Sequence, residues 1–320
     1  LVFLGSFAPA LFFLATGFGV ALSSKARKED GQLAHTLWKA LILVLADQLF
    51  WWNDGTILRL DFFSFIAIST ILLTVLSRHK NSVYIASLLL VTTVVVRYGL
   101  APYLSSAIAA NEFINWIAGT PGIRNISYPF SPWMVYPLLG FIAGNLYLNL
   151  NNDIQIKYNY VYLVTIIFAM SSIVISVFLY YEGKVFFRWG SVSVAYFILS
   201  LGMVAIAWQA AKIVSKNSAA VSRALSLRGA SSFLVIPLHY ALIHFIKMYA
   251  YPIKNPIQFI IAATLIISLA FAAAKITENI LRSIYDLPVG TIFGWASILV
   301  AISSYLPSLF LEHGGQTDLG

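Results

Sequence analysis

Two ionisable side chains stand inside apolar runs, where a charge is expensive and marks function by default. His239 lies in FLVIPLHYALIHFIKMY, and Asp47 lies in LILVLADQLFWW with Gln48 beside it. A histidine deep in such a run can take a proton from a hydroxyl or amine as a general base. It can equally be a core histidine that donates to a carbonyl. Asp47 carries the same pair of readings: a group at a reaction centre, or a carboxylate hydrogen-bonded to a neighbouring helix. His244 follows His239 by five residues. That is about 500° of helical rotation, so the two rings do not share a face and do not suit one metal ion.

Around these two groups are residues that could meet a substrate. Arg59-Leu60-Asp61 opens an apolar run; two residues apart, Arg59 and Asp61 do not face each other on a helix. Either each faces a cavity or a separate partner, or the two anchor the boundary of the run. The joint 101–131 carries Asn111, Glu112, Asn115, Trp116, Arg124 and Asn125, is preceded by Arg97 and leads to Trp133. A carboxylate, guanidinium groups and amides beside an aromatic suit a sugar-handling surface, and the same set describes a solvated loop. In other joints Lys25, Arg27, Lys28, Arg78, Lys80, Lys212, Lys216, Arg223 and Arg228 could meet the phosphates of a nucleotide-bearing donor. The excess of Lys and Arg in cytoplasmic loops of membrane proteins accounts for them without any ligand. No dinucleotide fingerprint, P-loop, serine elbow or HExxH spacing occurs. Cysteine is absent, which leaves no disulfide, thiolate metal site or thiol nucleophile, and no metal is expected.

The elements that must position these groups are set by composition. Of 320 residues, 60% are hydrophobic and 10% charged, with a mean hydropathy of +0.83. Soluble domains carry roughly 25% charged residues, so the solvent for most of this chain is lipid. Ten runs approach the length that crosses a bilayer: 1–23, 36–53, 61–78, 82–100, 132–150, 160–181, 191–212, 230–250, 256–275 and 287–307. They lack the strict alternation of barrel strands, so the expected fold is an all-α, polytopic bundle forming one domain over 1–320. It has an outer loop at 101–131 and a short polar tail at 308–320. Most Lys and Arg fall in alternate joints, which puts those joints in the cytoplasm and Leu1 and Gly320 outside. The net charge of +8 is thereby explained, and nucleic acid is not an expected partner. Midway, ISYPFSPWMVYPLLGFIAGNLYLNLNN (126–152) joins an aromatic entry to Gly140, Ala143 and Gly144. Glycines four apart permit close helix contact, and this span separates a half holding Asp47 and Arg59 from a half holding His239. No internal repeat is evident, which weighs against a transporter built on inverted halves.

Several stretches, taken in order, resemble the heparan-alpha-glucosaminide N-acetyltransferase catalytic-domain family, within the wider acyltransferase type 3 group. They are Phe7-Ala-Pro-Ala-Leu-Phe-Phe-Leu-Ala-Thr-Gly-Phe-Gly-Val-Ala-Leu-Ser, with its "Phe-Leu-x-x-Gly" core, and Leu58-Arg-Leu-Asp-Phe-Phe-Ser-Phe-Ile-Ala-Ile-Ser. Pro129-Phe-Ser-Pro-Trp-Met-Val-Tyr-Pro-Leu-Leu-Gly-Phe-Ile-Ala-Gly and Leu227-Arg-Gly-Ala-Ser-Ser-Phe-Leu-Val-Ile-Pro-Leu-His-Tyr follow. Ala67 replaces a frequent glycine, and Ile236-Pro237 stands where a tyrosine is usual before Leu-His. The resemblance implies a membrane enzyme passing an acyl group from cytoplasmic acyl-CoA, its co-substrate, to a glycan or amino-sugar acceptor across the membrane. For such chemistry the residues read above supply the catalytic candidates His239 and Asp47, His239 matching the late-span histidine, and the acceptor contacts Arg59, Asp61, Arg97, Glu112, Arg124, Trp133 and His244. Donor contacts would come from Lys25, Arg27, Lys28, Arg78, Arg223 and Arg228. A bacterial cytoplasmic membrane and a homodimer are further expectations. The family's main histidine precedes its "Phe-Leu-x-x-Gly" span, so one more span bearing that group is expected before Leu1. The competing expectations are a transporter or flippase of a lipid-linked glycan or small solute, and a membrane homologue without chemistry.

Overall fold

The computed structural model describes residues 7–26, 29–50, 61–103, 111–118, 127–150, 158–181, 192–227 and 255–280, with Val235, Leu238, His239 and Leu242. Among these residues every regular element is helical. An apolar environment dictates that result, because a helix satisfies its backbone polar groups within one segment. The helices are α1 (Ala8–Ala26), α2 (Glu29–Phe50), α3 (Phe62–Ser77), α4 (Ser82–Val95, running into a π-helical turn at Val96–Leu100) and α5 (Glu112–Ala118). After them come α6 (Phe130–Trp133), α7 (Val135–Leu150), α8 (Tyr158–Tyr181), α9 (Val194–Asn217), α10 (Ala219–Leu225) and α11 (Pro256–Ile280). Among the described residues four segments are long and apolar enough to cross a membrane: Ala8–Lys25, Ser82–Leu100, Val194–Val214 and Ile257–Asn279. The chain is an integral membrane protein, all-helical among the described residues.

Two units divide it, one of residues 1–47 and 57–219, the other of residues 48–56 and 220–320. The first is centred on α1 and α7, which meet almost backbone to backbone. A Cβ on Gly17 would fall on the Pro137 carbonyl, and one on Gly140 on the Leu14 carbonyl. Farther along, a Gly144 Cβ would come within 2.7 Å of Ala21 Cβ. Phe13 of α1 meets Trp133 just before α7, while Lys25 at the end of α1 reaches Leu148 near the end of α7, so α1 and α7 are parallel. Thr36 meets Thr74 while Asp47 meets Ser64, making α2 and α3 antiparallel. Phe7 stacks on Tyr196 while Phe18 packs on Trp208, making α1 and α9 parallel.

Pro137 does not break α7, because it occupies the first turn, where its missing N–H has no intrahelical acceptor. The outer surface is apolar. On α4 Tyr84, Leu88, Val91 and Val95 form one exposed stripe, and α8 exposes Met170, Val174 and Phe178. Large apolar side chains lining a helix on its outside are what a lipid-facing wall requires.

Some boundaries depart from the sequence reading. Helix α2 begins at Glu29, well before 36, since acidic residues suit a helix N-terminus and need not end a span. The joint 101–131 contains α5, capped by Asn111, whose Oδ1 accepts the N–H groups of Phe113 and Ile114 at 2.9 and 3.1 Å. Helix α9 continues past 212 to Asn217. The expected span 287–307 and tail 308–320 lie outside the described residues, as does most of 230–250.

Candidate functional site

Two acidic candidates of the first unit, Asp47 and Asp61, meet at the start of α3. Asp61 is the N-cap, with φ −106° and ψ −166°, and its Oδ1 accepts the Phe62 N–H at 2.9 Å. Asp47, on α2 and 1% exposed, accepts the Ser64 N–H at 2.9 Å. The first N–H groups of any helix lack intrahelical acceptors, and negative charge is favourable there. Two carboxylates therefore complete the first turn of α3, and one of them clamps α2 to it. This is the neighbouring-helix hydrogen bond that stood as one reading of Asp47. Arg59, the expected companion of Asp61, is outside the described residues.

Behind that turn lies an aromatic cluster. Phe62 packs on Phe13 and Tyr128 with ring centres 5.2 and 5.8 Å apart, and Tyr128 meets Trp133 edge-on at 5.0 Å. Trp133 is wholly buried, and its indole N–H has no hydrogen-bond acceptor among the described residues. It packs on Phe13 of α1, Tyr136 of α7 and Tyr196 of α9. Tyr136 continues the buried path. Ser200 Oγ donates to Phe197 O at 2.7 Å, so the Tyr136 hydroxyl is the donor in its 2.6 Å contact with Ser200 Oγ. That pair joins α7 to α9, as Ser131 joins α6 to α4 by donating to Thr93 O at 2.7 Å. Sequence reasoning did not single out Tyr136 or Ser200; the available signal was a hydroxyl within each of two apolar runs.

Arg97 lies half-buried on the π-helical turn, an irregularity frequent at functional sites. Next to it the Tyr98 hydroxyl donates to Val192 O at 3.2 Å. Val192 has φ +32°, an unusual backbone for a β-branched residue, and is fully buried. Glu112 opens α5, while Arg124 is outside the described residues.

The basic candidates divide similarly. Lys25 ends α1 and its Nζ reaches the Leu148 carbonyl of α7 at 3.5 Å; Arg78 is the exposed C-cap of α3. Cations at helix C-termini complement the peptide dipoles, so both placements have a structural reason besides any ligand. Arg223 is exposed in the last turn of α10, in the second unit. Arg27, Lys28, Arg228 and His244 are outside the described residues.

His239 also belongs to the second unit. Its Nδ1 lies 3.1 Å from Val235 O, one helical turn earlier. A carbonyl only accepts, so this contact places the proton on Nδ1 and leaves the neutral ring's lone pair on Nε2. In the same unit, Lys275 Nζ donates to Ser226 O at 2.8 Å and pairs with Glu278 at 3.4 Å. Among the described residues no three His, Asp or Glu side chains gather as a metal site would require. Protein-family models, curated proteins and solved structures offer no match to this chain.

Proposed function

We propose that this chain is a transmembrane acyltransferase, taking an acyl group from cytoplasmic acyl-CoA, acetyl in the simplest case. The acceptor is a hydroxyl or amine of a sugar across the membrane. The observation that carries the reading is His239, an imidazole in an apolar helical stretch with Nδ1 turned to Val235 O and Nε2 left as the basic nitrogen. The ordered resemblance adds support, because the glycines of its "Phe-Leu-x-x-Gly" and "Leu-Leu-Gly" stretches are those at which α1 and α7 touch. In the reaction Nε2 takes the proton of the acceptor as its oxygen or nitrogen bonds to the thioester carbonyl carbon. The carbon–sulfur bond breaks, and the proton passes to the departing CoA thiolate. In the first unit the basic helix ends at Lys25 and Arg78 suit the phosphates of the donor, and the face bearing Arg97 suits a glycan.

The test uses membranes containing the full chain, acetyl-CoA labelled in its acetyl group, and amino-sugar acceptors. Label should reach the acceptor or be released by hydrolysis, and His239→Ala should lower that rate by about 10²-fold or more. A His239→Ala rate equal to the parent's removes the residue from the mechanism. Solute uptake into proteoliposomes without any acyl donor, and with no CoA released, would make the chain a transporter instead.

A further inference from the structure

Between α8 and α9 a groove of about 270 Å³ opens on the apolar wall, lined by Ile166, Ala169 and Met170 on one side and Ile206, Gln209 and Ile213 on the other. Its one amide is unusual. Gln209 is 7% exposed, and its Nε2 has no hydrogen-bond partner among the described residues. An amide buried in a hydrocarbon setting without an acceptor carries a desolvation cost, so its N–H groups select an oxygen-bearing occupant. Gln209, Lys212 and Lys216 recur at i, i+3 and i+7, which sets them on one stripe of α9. Lys212 stands one turn, ~4.5 Å of rise, beyond Gln209, and the exposed Lys216 stands one turn farther, at the end of the helix.

The stripe therefore passes from apolar groove to amide donor to ammonium groups. A diacyl phospholipid follows the same sequence, from hydrocarbon chain to ester carbonyl to phosphate. We infer that the α8–α9 groove binds one anionic phospholipid of the leaflet facing Lys216, with an acyl chain against Ile166, Met170 and Ile206, an ester carbonyl accepting from Gln209 Nε2, and the phosphate near Lys216. A helix from a second copy, ~10 Å across, does not fit a groove of this size. The site is independent of acyl transfer.

The test is native mass spectrometry of the full chain in mild detergent, titrated with phosphatidylglycerol and, separately, phosphatidylethanolamine. The parent should retain one phosphatidylglycerol in preference to phosphatidylethanolamine. Gln209→Leu, which keeps the shape and removes the donor, should weaken retention by about fivefold, the worth of one hydrogen bond. Ala210→Phe, which fills the groove from its rim, should weaken it without touching the amide. Lys216→Glu should abolish the preference for the anionic lipid. Equal retention of phosphatidylglycerol by the parent, Gln209→Leu and Ala210→Phe overturns the site. A parent that holds both lipids equally overturns the anionic assignment. Loss of a dimer in Gln209→Leu with lipid retention unchanged makes this face a protein interface instead.

Discussion

Asp47 shows how one carboxylate can organise a membrane helix. Its Oδ2 accepts the Ser64 N–H at 2.9 Å in a setting that is 1% exposed. Water cannot replace that acceptor, so Asp47→Ala leaves an orphan N–H, at a cost of about 1–3 kcal/mol. Asp47→Asn keeps an amide oxygen at the same position and should recover most of the loss. Thermal unfolding of the purified chain in detergent separates the two variants. An Asp47→Ala protein as stable as the parent would show that the α2–α3 clamp is unimportant, whatever the residue does in chemistry. The sequence made both uses of Asp47 visible, because a carboxylate inside an apolar run announces itself. It could not show the Ser64 partner, which depends on how two helices meet. Asp61 carried a local signal that the sequence reading left unused: an Asp just before an apolar run suits an N-cap, and the structure makes it one.

At the scale of the elements, apolar runs disclosed the helices well, since length and hydropathy are local properties. The run read as 160–181 is α8 (Tyr158–Tyr181), and 132–150 holds α7. Pairing was less visible. Gly140 and Gly144 pointed to a close contact but not to its partner, and the partner proves to be α1 at Leu14, Phe18 and Ala21. Tyr136 and Ser200 are separated by 64 residues, so no local pattern could join them. The glycines of α1 allow an internal control. Gly17→Ala places a methyl group on the Pro137 carbonyl and must push α1 and α7 apart. It should destabilise by about 1–3 kcal/mol, as overpacking does. Gly19, two residues on, has open space around its Cβ position. Gly19→Ala should be neutral or stabilising by up to ~1 kcal/mol, because alanine favours a helix interior. Denaturant or thermal unfolding of both variants in one detergent reads the contrast, and equal effects of the two would refute the backbone-to-backbone contact.

For the molecule as a whole, direction is the property that ties sequence to the proposed function, because in that reaction an acyl donor and its acceptor approach from opposite sides. Helices α1, α7 and α9 run the same way, and α2 and α3 are antiparallel, so the ends of the first unit sort into two sets. One set holds Lys25, the α3–α4 turn with Arg78 and Lys80, and Asn217 at the end of α9. The other holds Tyr103 after the π-helical turn and Ser193 before α9. From the excess of basic residues we propose that the first set faces the cytoplasm. The absence of cysteine from the chain makes this directly measurable, since any single introduced thiol is the only one present. Tyr103→Cys, at a residue 86% exposed, should react in intact cells with a membrane-impermeant maleimide. Lys80→Cys and Asn217→Cys should react only after permeabilisation. A reversed pattern would keep the bundle and invert it, moving the donor side to the Tyr103 face and ending the proposal that cytoplasmic acyl-CoA meets the Lys25 and Arg78 ends. Labelling of all three thiols in intact cells would be more severe, because helices joined by these turns could not then span one bilayer in alternation.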